Sequence, residues 1–193
     1  SKYAISEYDE NIPSDLTAEQ ILIRSGNIGS VRIAQKIGEK KFKQFLNDLG
    51  LLSTLEFDIE EIGSPLKFKW GKCKLATSAY GHGITTTLLQ LAKGHSIISN
   101  GGYYKKPKLI LDKTKMEIKY QQIISEDVSD KINLALRKIV TTKEGTASFA
   151  NIDGYEIAGK TGTAQKSISG GYSRNKINTF ASVFPASDPK YVL

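Results

Sequence analysis

The chain opens with three stretches in which apolar residues recur at helical spacing. Thr17 and Gln20 are spaced as a capping box, in which each side chain bonds to the other residue's backbone. The pattern predicts a first helix that ends near 25–27, a second over about 28–37 and a third that stops at Gly50. The N-terminal part of the chain is therefore predicted to be helical.

Irregular segments and two further helices follow. Residues 51–75 show no lasting period and are interrupted by glycine and proline, so we expect a long surface excursion there. Helices are predicted over about 86–99 and 125–141, the second with Ser125 as its N-cap. Residues 103–111 are predicted to be extended.

The last part of the chain has the pattern of antiparallel strands. Residues 157–165 and 179–184 are predicted to pair as a hairpin, joined by a polar, glycine-rich loop over 166–176. Tyr191 is predicted to open a third strand. Helices first and antiparallel strands last indicate an α+β fold, with 1–193 forming one partial domain.

Composition narrows the functional classes only slightly. The 193 residues are enough for a core, and 39% hydrophobic with 24% charged residues is ordinary for a globular protein. Cys73 is the single cysteine, and His82 and His95 lie far apart in the sequence. We therefore expect neither an internal disulfide nor a metal site, and we expect no cofactor.

The net charge of +7 allows an anionic partner. However, the lysines are spread along the chain and no aromatic-basic motif of a nucleic-acid-binding module is present, so no nucleic-acid partner is expected. The sequence contains no run of 18 apolar residues that would predict a membrane-spanning helix.

The most distinctive chemistry lies on the first predicted strand of the hairpin. Lys160 supplies a cation, and Thr161 and Thr163 add hydroxyls beside it. Gly159 and Gly162 have no side chains, which would let another molecule's backbone lie close along this strand. The group suits an extended substrate that carries a carboxylate. It equally fits a solvated edge strand whose lysine discourages aggregation.

A second motif indicates a function only in combination with the Lys160 strand. Ser25-Gly26-Asn27 lies at a predicted helix–helix junction, and alone it fits a capping serine and a turn asparagine. Together with Lys160-Thr161-Gly162, in this order and separation, it resembles the second and third motifs of the penicillin-recognising serine acyltransferases.

The resemblance extends over nearly the whole chain and points to class B penicillin-binding proteins. The most specific run, 145–147 followed by 154–165, resembles the septal, cell-division branch of that family. The resemblance implies the penicillin-binding, β-lactamase-like transpeptidase fold. The segments that carry the resemblance are 16–29, 80–84, 89–92, 100–102, 145–147 and 154–165. His82 stands where the family often has glutamine, and Leu88 where it often has proline.

The resemblance implies serine acyl transfer, in which a D-Ala-D-Ala bond of a peptidoglycan stem is attacked and a neighbouring stem amine captures the acyl group. It implies the following roles. Ser25 relays a proton to the departing amine, Asn27 bonds the substrate amide and Lys160 supplies positive potential. Thr161, Gly162 and Thr163 bind the substrate, and the two threonine hydroxyls contact its carboxylate. The backbone N–H of Thr163 forms part of the oxyanion hole.

One motif of the family has no match in the expected place. The nucleophile motif, Ser-x-x-Lys at a helix start, should precede Ser25 by several tens of residues. The sequence contains matches only after Ser25, beginning at Ser64, Ser173 and Ser187, and none is at a predicted helix start. We therefore interpret the chain as a fragment that lacks the nucleophilic serine and the C-terminal end of its domain.

The resemblance also implies partners and a location. The expected ligands are peptidoglycan stem peptides and β-lactam antibiotics, with other cell-division proteins as partners. A membrane anchor outside this chain would hold the domain in the periplasm, at the inner membrane. Two alternatives stay open: a β-lactamase or D,D-carboxypeptidase of the same fold, and a non-catalytic module that senses β-lactams or binds the wall.

Overall fold

The computed structural model of the chain describes residues 4–58, 70, 72–110, 120–168 and 171–193. The predicted α+β order is confirmed, with helices first and an antiparallel sheet last. The helices are α1 (Ala18–Arg24), α2 (Asn27–Ile37), α3 (Glu39–Asp48), α4 (Lys72–Ala79), α5 (Leu88–Ser99) and α6 (Glu126–Thr141), with a 3-10 turn at Ser148–Ala150.

The predicted capping box at the start of α1 is present. The backbone N–H of Gln20 donates to the Thr17 hydroxyl at 3.2 Å, and the Thr17 N–H donates to the Gln20 side chain at 2.9 Å. A second box of the same kind, formed by Thr87 and Gln90, begins α5. Both boxes satisfy backbone donors that the first turn of a helix leaves without partners.

Helix α4 corrects the expectation that 51–75 has no regular element, because α4 begins at Lys72. Residues 59–69 and 71 of that segment lie outside the described part. The sequence signal for α4 is weak because lysines and small residues interrupt its apolar positions. Packing against α2 selects the helix where the local pattern does not.

Two small sheets are present in the described part. In the first, β1 (Tyr103–Tyr104) pairs antiparallel with β2 (Gln121–Gln122). Of the extended segment predicted for 103–111, residues 103–110 are described, and regular strand structure covers only their start. The second sheet contains β3, β4 and β5 in that order, over Ala158–Ile168, Gly171–Phe184 and Tyr191–Val192.

The hairpin of β3 and β4 is longer than predicted. The strands extend through most of 166–176, where we expected a loop, with a register shift between Gln165 and Ser167. Side chains such as Lys166 and Arg174 are exposed. A strand that is polar on both faces lacks the alternation that identifies a strand in sequence, which explains the wrong prediction.

The main core lies where α1 and α6 pack against β3 and β4. Ile23 of α1 and Ala158 of β3 are both in this core, and each lies two residues before a predicted site residue. Arg137 of α6 donates to the carbonyl of Ile157 at 2.7 Å, which fixes the helix against the start of β3. The buried core residues are Ile23, Leu136, Ile139, Val140, Ala147, Ala150, Ala158 and Val183.

Candidate active site

Ser25 occupies an unusual backbone position at the end of α1. Its φ of 58° and ψ of 40° place it in the left-handed region, and among the described non-glycine residues only Ser25 has a positive φ. Its N–H still bonds to the carbonyl of Leu22 at 3.2 Å. A serine in this conformation costs free energy that glycine would avoid, and such strain is concentrated at functional positions.

The side chains of Ser25 and Lys160 meet at the junction between the helices and the sheet. The Lys160 ammonium donates to the Ser25 hydroxyl oxygen at 2.8 Å, although the two residues are 135 positions apart. The same ammonium donates to the carbonyl of Thr161 at 2.8 Å. The two motifs singled out in the sequence therefore form one constellation.

The surroundings of Lys160 change its protonation. Burial lowers the pKa of Lys160 to about 8, because desolvation disfavours the charged ammonium. Lys160 is therefore mostly protonated near pH 7 and loses its proton as the pH rises through about 8. The strand pair around it adds positive potential, since its charged residues are Lys160, Lys166, Arg174 and Lys176, with no Asp or Glu between 157 and 187.

We expect a measurable consequence of this lowered pKa in the full-length protein. If the charged ammonium is what attracts the substrate carboxylate, acylation by penicillin should be highest below pH 8 and should fall as the pH rises through about 8. The control is Lys160→Arg, which keeps its charge and should lack this alkaline decline whatever its absolute rate. A rate that increases through pH 8 would show that neutral Lys160 acts as a base instead.

Asn27 is the first residue of α2. The bonds described for it run to the segment before α1: its backbone N–H donates to the Glu7 carboxylate at 2.6 Å, and its side-chain amide donates to the Ser6 carbonyl at 2.9 Å. Asn27 is thus next to Ser25 along the chain, and its described bonds hold it to the segment before α1.

The threonines on β3 have different environments. The Thr161 hydroxyl lies 2.7 Å from the hydroxyl of Thr146, which follows α6. Thr163 is exposed and pairs with Asn178 of β4. Thr146 lies in the 145–147 segment that carries the family resemblance, but no local pattern in the sequence links it to Thr161.

The glycines beside Lys160 are explained by the neighbouring strand. A Cβ on Gly162 would lie 2.6 Å from the Thr179 hydroxyl oxygen, and a Cβ on Gly159 would lie 2.6 Å from the Ala181 carbonyl oxygen. The glycines therefore allow the close pairing with β4 that sets the position of Lys160. A second role, to admit another molecule's backbone along the other edge of β3, stays a prediction.

The hydroxyl pair gives a second prediction for the full-length protein. In Thr146→Val the Thr161 hydroxyl loses its partner, and we expect penicillin acylation to slow about fivefold, the size of one hydrogen bond. Thr141→Val is the matched control, because Thr141 is exposed and the bond described for its hydroxyl goes to the carbonyl of Arg137 in its own helix. Equal rates for wild type and Thr146→Val would show that the pair does not prepare Thr161 for the substrate.

The described residues contain neither a candidate metal site nor a candidate membrane-spanning helix. No group of three or more His, Cys, Asp or Glu side chains comes together there in a way that could hold a metal ion. Within the same residues, none of the helices has the length and apolar composition needed to cross a bilayer.

Comparisons with known proteins identify relatives of this chain. Residues 1–193 match the family described as the penicillin binding protein transpeptidase domain. The chain is 32% identical to Stage V sporulation protein D of Bacillus subtilis over 90% of this chain, and 30% identical to the probable peptidoglycan D,D-transpeptidase PbpC of Pseudomonas aeruginosa over 92%. It spans only 29% and 32% of those two proteins.

A solved structure shows the same fold. Penicillin-binding protein 3 from Mycobacterium tuberculosis, in complex with aztreonam, superposes with a TM-score of 0.87 at 24% identity, covering 97% of this chain and 46% of that one. The chain belongs to the penicillin-binding protein transpeptidase family. This confirms the class B resemblance and the fold predicted from the sequence.

Proposed function

We propose that this chain supplies the second and third active-site motifs of a peptidoglycan D,D-transpeptidase, an acyl-transfer enzyme that uses a serine nucleophile. The observation that carries the proposal is the 2.8 Å bond from the Lys160 ammonium to the Ser25 hydroxyl. A hydroxyl that accepts from a half-buried cation is turned so that its own proton points away, toward a substrate. Such a pair can move protons without histidine.

The reaction requires a serine that these motifs do not contain. That serine attacks the carbonyl of the D-Ala-D-Ala bond, its proton is removed, and the terminal D-Ala leaves as an amine that receives a proton through Ser25. The carbonyl oxygen, negative in the intermediate, accepts a hydrogen bond from the backbone N–H of Thr163. Each preorganised donor of this kind lowers the activation free energy by about 3 kcal/mol.

Substrate binding is assigned to the same strand. The terminal carboxylate of the stem peptide, or that of a β-lactam, is received by the hydroxyls of Thr161 and Thr163, beside Gly162 and in the potential of Lys160. Asn27 bonds to an amide of the substrate. An amine of a second stem then attacks the acyl-enzyme, which forms the cross-link and releases the serine.

The finer parts of the proposal rest on the sequence resemblance. They are a septal role in cell division, contacts with other division proteins, and a membrane anchor outside this chain that holds the domain in the periplasm. They are supported by the run over 145–165, whose motif residues lie on β3 and on the turn that contacts it.

A labelled penicillin and a stem pentapeptide donor test the proposal in the full-length protein. We expect a long-lived adduct on a serine of a Ser-x-x-Lys motif, release of D-Ala, and transfer of the acyl group to an added amine. An adduct that hydrolyses within seconds would indicate a β-lactamase. D-Ala release without transfer would indicate a carboxypeptidase, and absence of any adduct would indicate a non-catalytic binding module.

A further inference from the structure

The start of α2 is capped by a residue from a distant part of the chain. Its N-cap, Gly26, has no side chain to accept from the first-turn N–H groups. Glu7 supplies both acceptors, with its carboxylate oxygens 2.6 Å from the Asn27 nitrogen and 2.9 Å from the Ile28 nitrogen. A carboxylate at this end is also favoured by the helix dipole.

The residue before Glu7 holds the side chain of the same asparagine. The Asn27 amide nitrogen donates to the carbonyl of Ser6 at 2.9 Å. Asn27 is thus fixed at its backbone by Glu7 and at its side chain by Ser6. Because one amide hydrogen is used in this way, rotation of the side chain is restricted and the remaining amide atoms have a defined direction.

The segment from Ser6 to Asp9 is itself attached at two further points. Asp9 lies 3.9 Å from the guanidinium of Arg24, in the last turn of α1. The ammonium of Lys176 on β4 lies over the ring of Tyr8, 5.6 Å from its centre. The segment therefore contacts α1, α2 and the strand that pairs with the Lys160 strand.

We propose that Glu7 is a positioning residue of the active site, which sets the orientation of Asn27 toward the amide of the substrate. The inference rests on the proposed function, because it assigns Asn27 the substrate amide. A cap that only stabilises α2 would change the folded population. A positioning residue changes which substrates react, since only substrates with the amide use Asn27.

The test uses two β-lactams in the full-length protein. Benzylpenicillin carries the acylamino group that Asn27 would bond, whereas 6-aminopenicillanic acid has the same rings and carboxylate but no acyl amide. For Glu7→Gln we expect second-order acylation by benzylpenicillin to slow about tenfold and acylation by 6-aminopenicillanic acid to change less than about twofold. Glu10→Gln, the same change at an exposed position in the same segment, should leave both rates unchanged.

A double-mutant cycle with Asn27→Ala tests the route of the effect. If Glu7 acts through Asn27, Glu7→Gln should have almost no additional effect on the benzylpenicillin rate in the Asn27→Ala background. Additive losses, or equal slowing with both β-lactams, would overturn the proposal and leave Glu7 as a structural cap.

The experiment also covers a Glu7→Gln variant that does not fold and a wild type that forms no adduct. Glu7→Asp retains the carboxylate on a shorter side chain, and its preference for benzylpenicillin should fall between those of wild type and Glu7→Gln. If Glu7→Gln does not fold, an unchanged preference in Glu7→Asp overturns the proposal. If the wild type itself forms no adduct, the proposed function fails, and that failure is visible before any variant is measured.

Discussion

Replacing Lys160 by alanine in the full-length protein is expected to slow acylation by benzylpenicillin by about a hundredfold or more. The ammonium bonds the Ser25 hydroxyl at 2.8 Å and lies near the start of β3, in a strand pair whose charged residues are all basic. The change removes the attraction for the carboxylate and the group that orients Ser25. Both effects act on the transition state, so they lower the acylation rate together.

The control for this experiment is Lys143→Ala, which removes an exposed lysine after α6. Its acylation rate should stay within about twofold of wild type, since the charge of an exposed lysine is largely screened by water and salt. Thermal unfolding of both variants establishes that they are folded. If Lys160→Ala reacts as fast as wild type, the ammonium contributes nothing to acylation, and the catalytic role assigned to Lys160 is wrong.

The elements that could be predicted are those with a local signal. The box of Thr17 and Gln20, the stripe of α6 and the alternation over 179–184 are all patterns of neighbouring residues. Helix α4 lacks such a pattern because its formation depends on packing against α2. The strand structure in 166–176 was missed because exposed polar strands show no hydrophobic period.

The residues of the candidate site could be predicted from the sequence, but most of their partners could not. Two tripeptides identify Ser25, Asn27 and Lys160, and the contact between Ser25 and Lys160 agrees with the roles that the family resemblance implies. The partners of Asn27 and Thr161 come from far along the chain: Glu7 accepts from the Asn27 backbone 20 positions away, and the Thr146 hydroxyl lies against that of Thr161, 15 positions away. No spacing rule for helices or strands relates such residues, so only the folded chain identifies them.

The serine that would be acylated can be sought among the three later Ser-x-x-Lys matches, and the structure argues against two of them. The Ser187 hydroxyl bonds the carboxylate of Glu156, while Lys190 forms an ion pair with Asp188 at 2.6 Å. Each side chain of that pair is therefore used elsewhere. A serine nucleophile needs its base within hydrogen-bonding distance.

In the match that begins at Ser173, the serine and the lysine also contact other groups. Ser173 is on β4, where its hydroxyl accepts from the backbone of Asn175 at 3.0 Å, and Lys176 lies over the ring of Tyr8. Ser64 is outside the described residues. Because the pattern requires a helix start so that positions i and i+3 share a face, a strand cannot present the pair in the same way.

We therefore expect the 193-residue chain alone to form no covalent adduct with penicillin, although it contains Ser25, Asn27 and Lys160. Removing the nucleophile abolishes nearly all of the rate in serine acyl transfer. Intact-mass spectrometry after incubation with labelled benzylpenicillin gives the measurement, with the full-length protein as the positive control. A stoichiometric adduct that disappears in Ser64→Ala, Ser173→Ala or Ser187→Ala would place the nucleophile within this chain. It would also contradict the alignment of Ser25 and Lys160 with the second and third family motifs, since those motifs follow the nucleophile in the family.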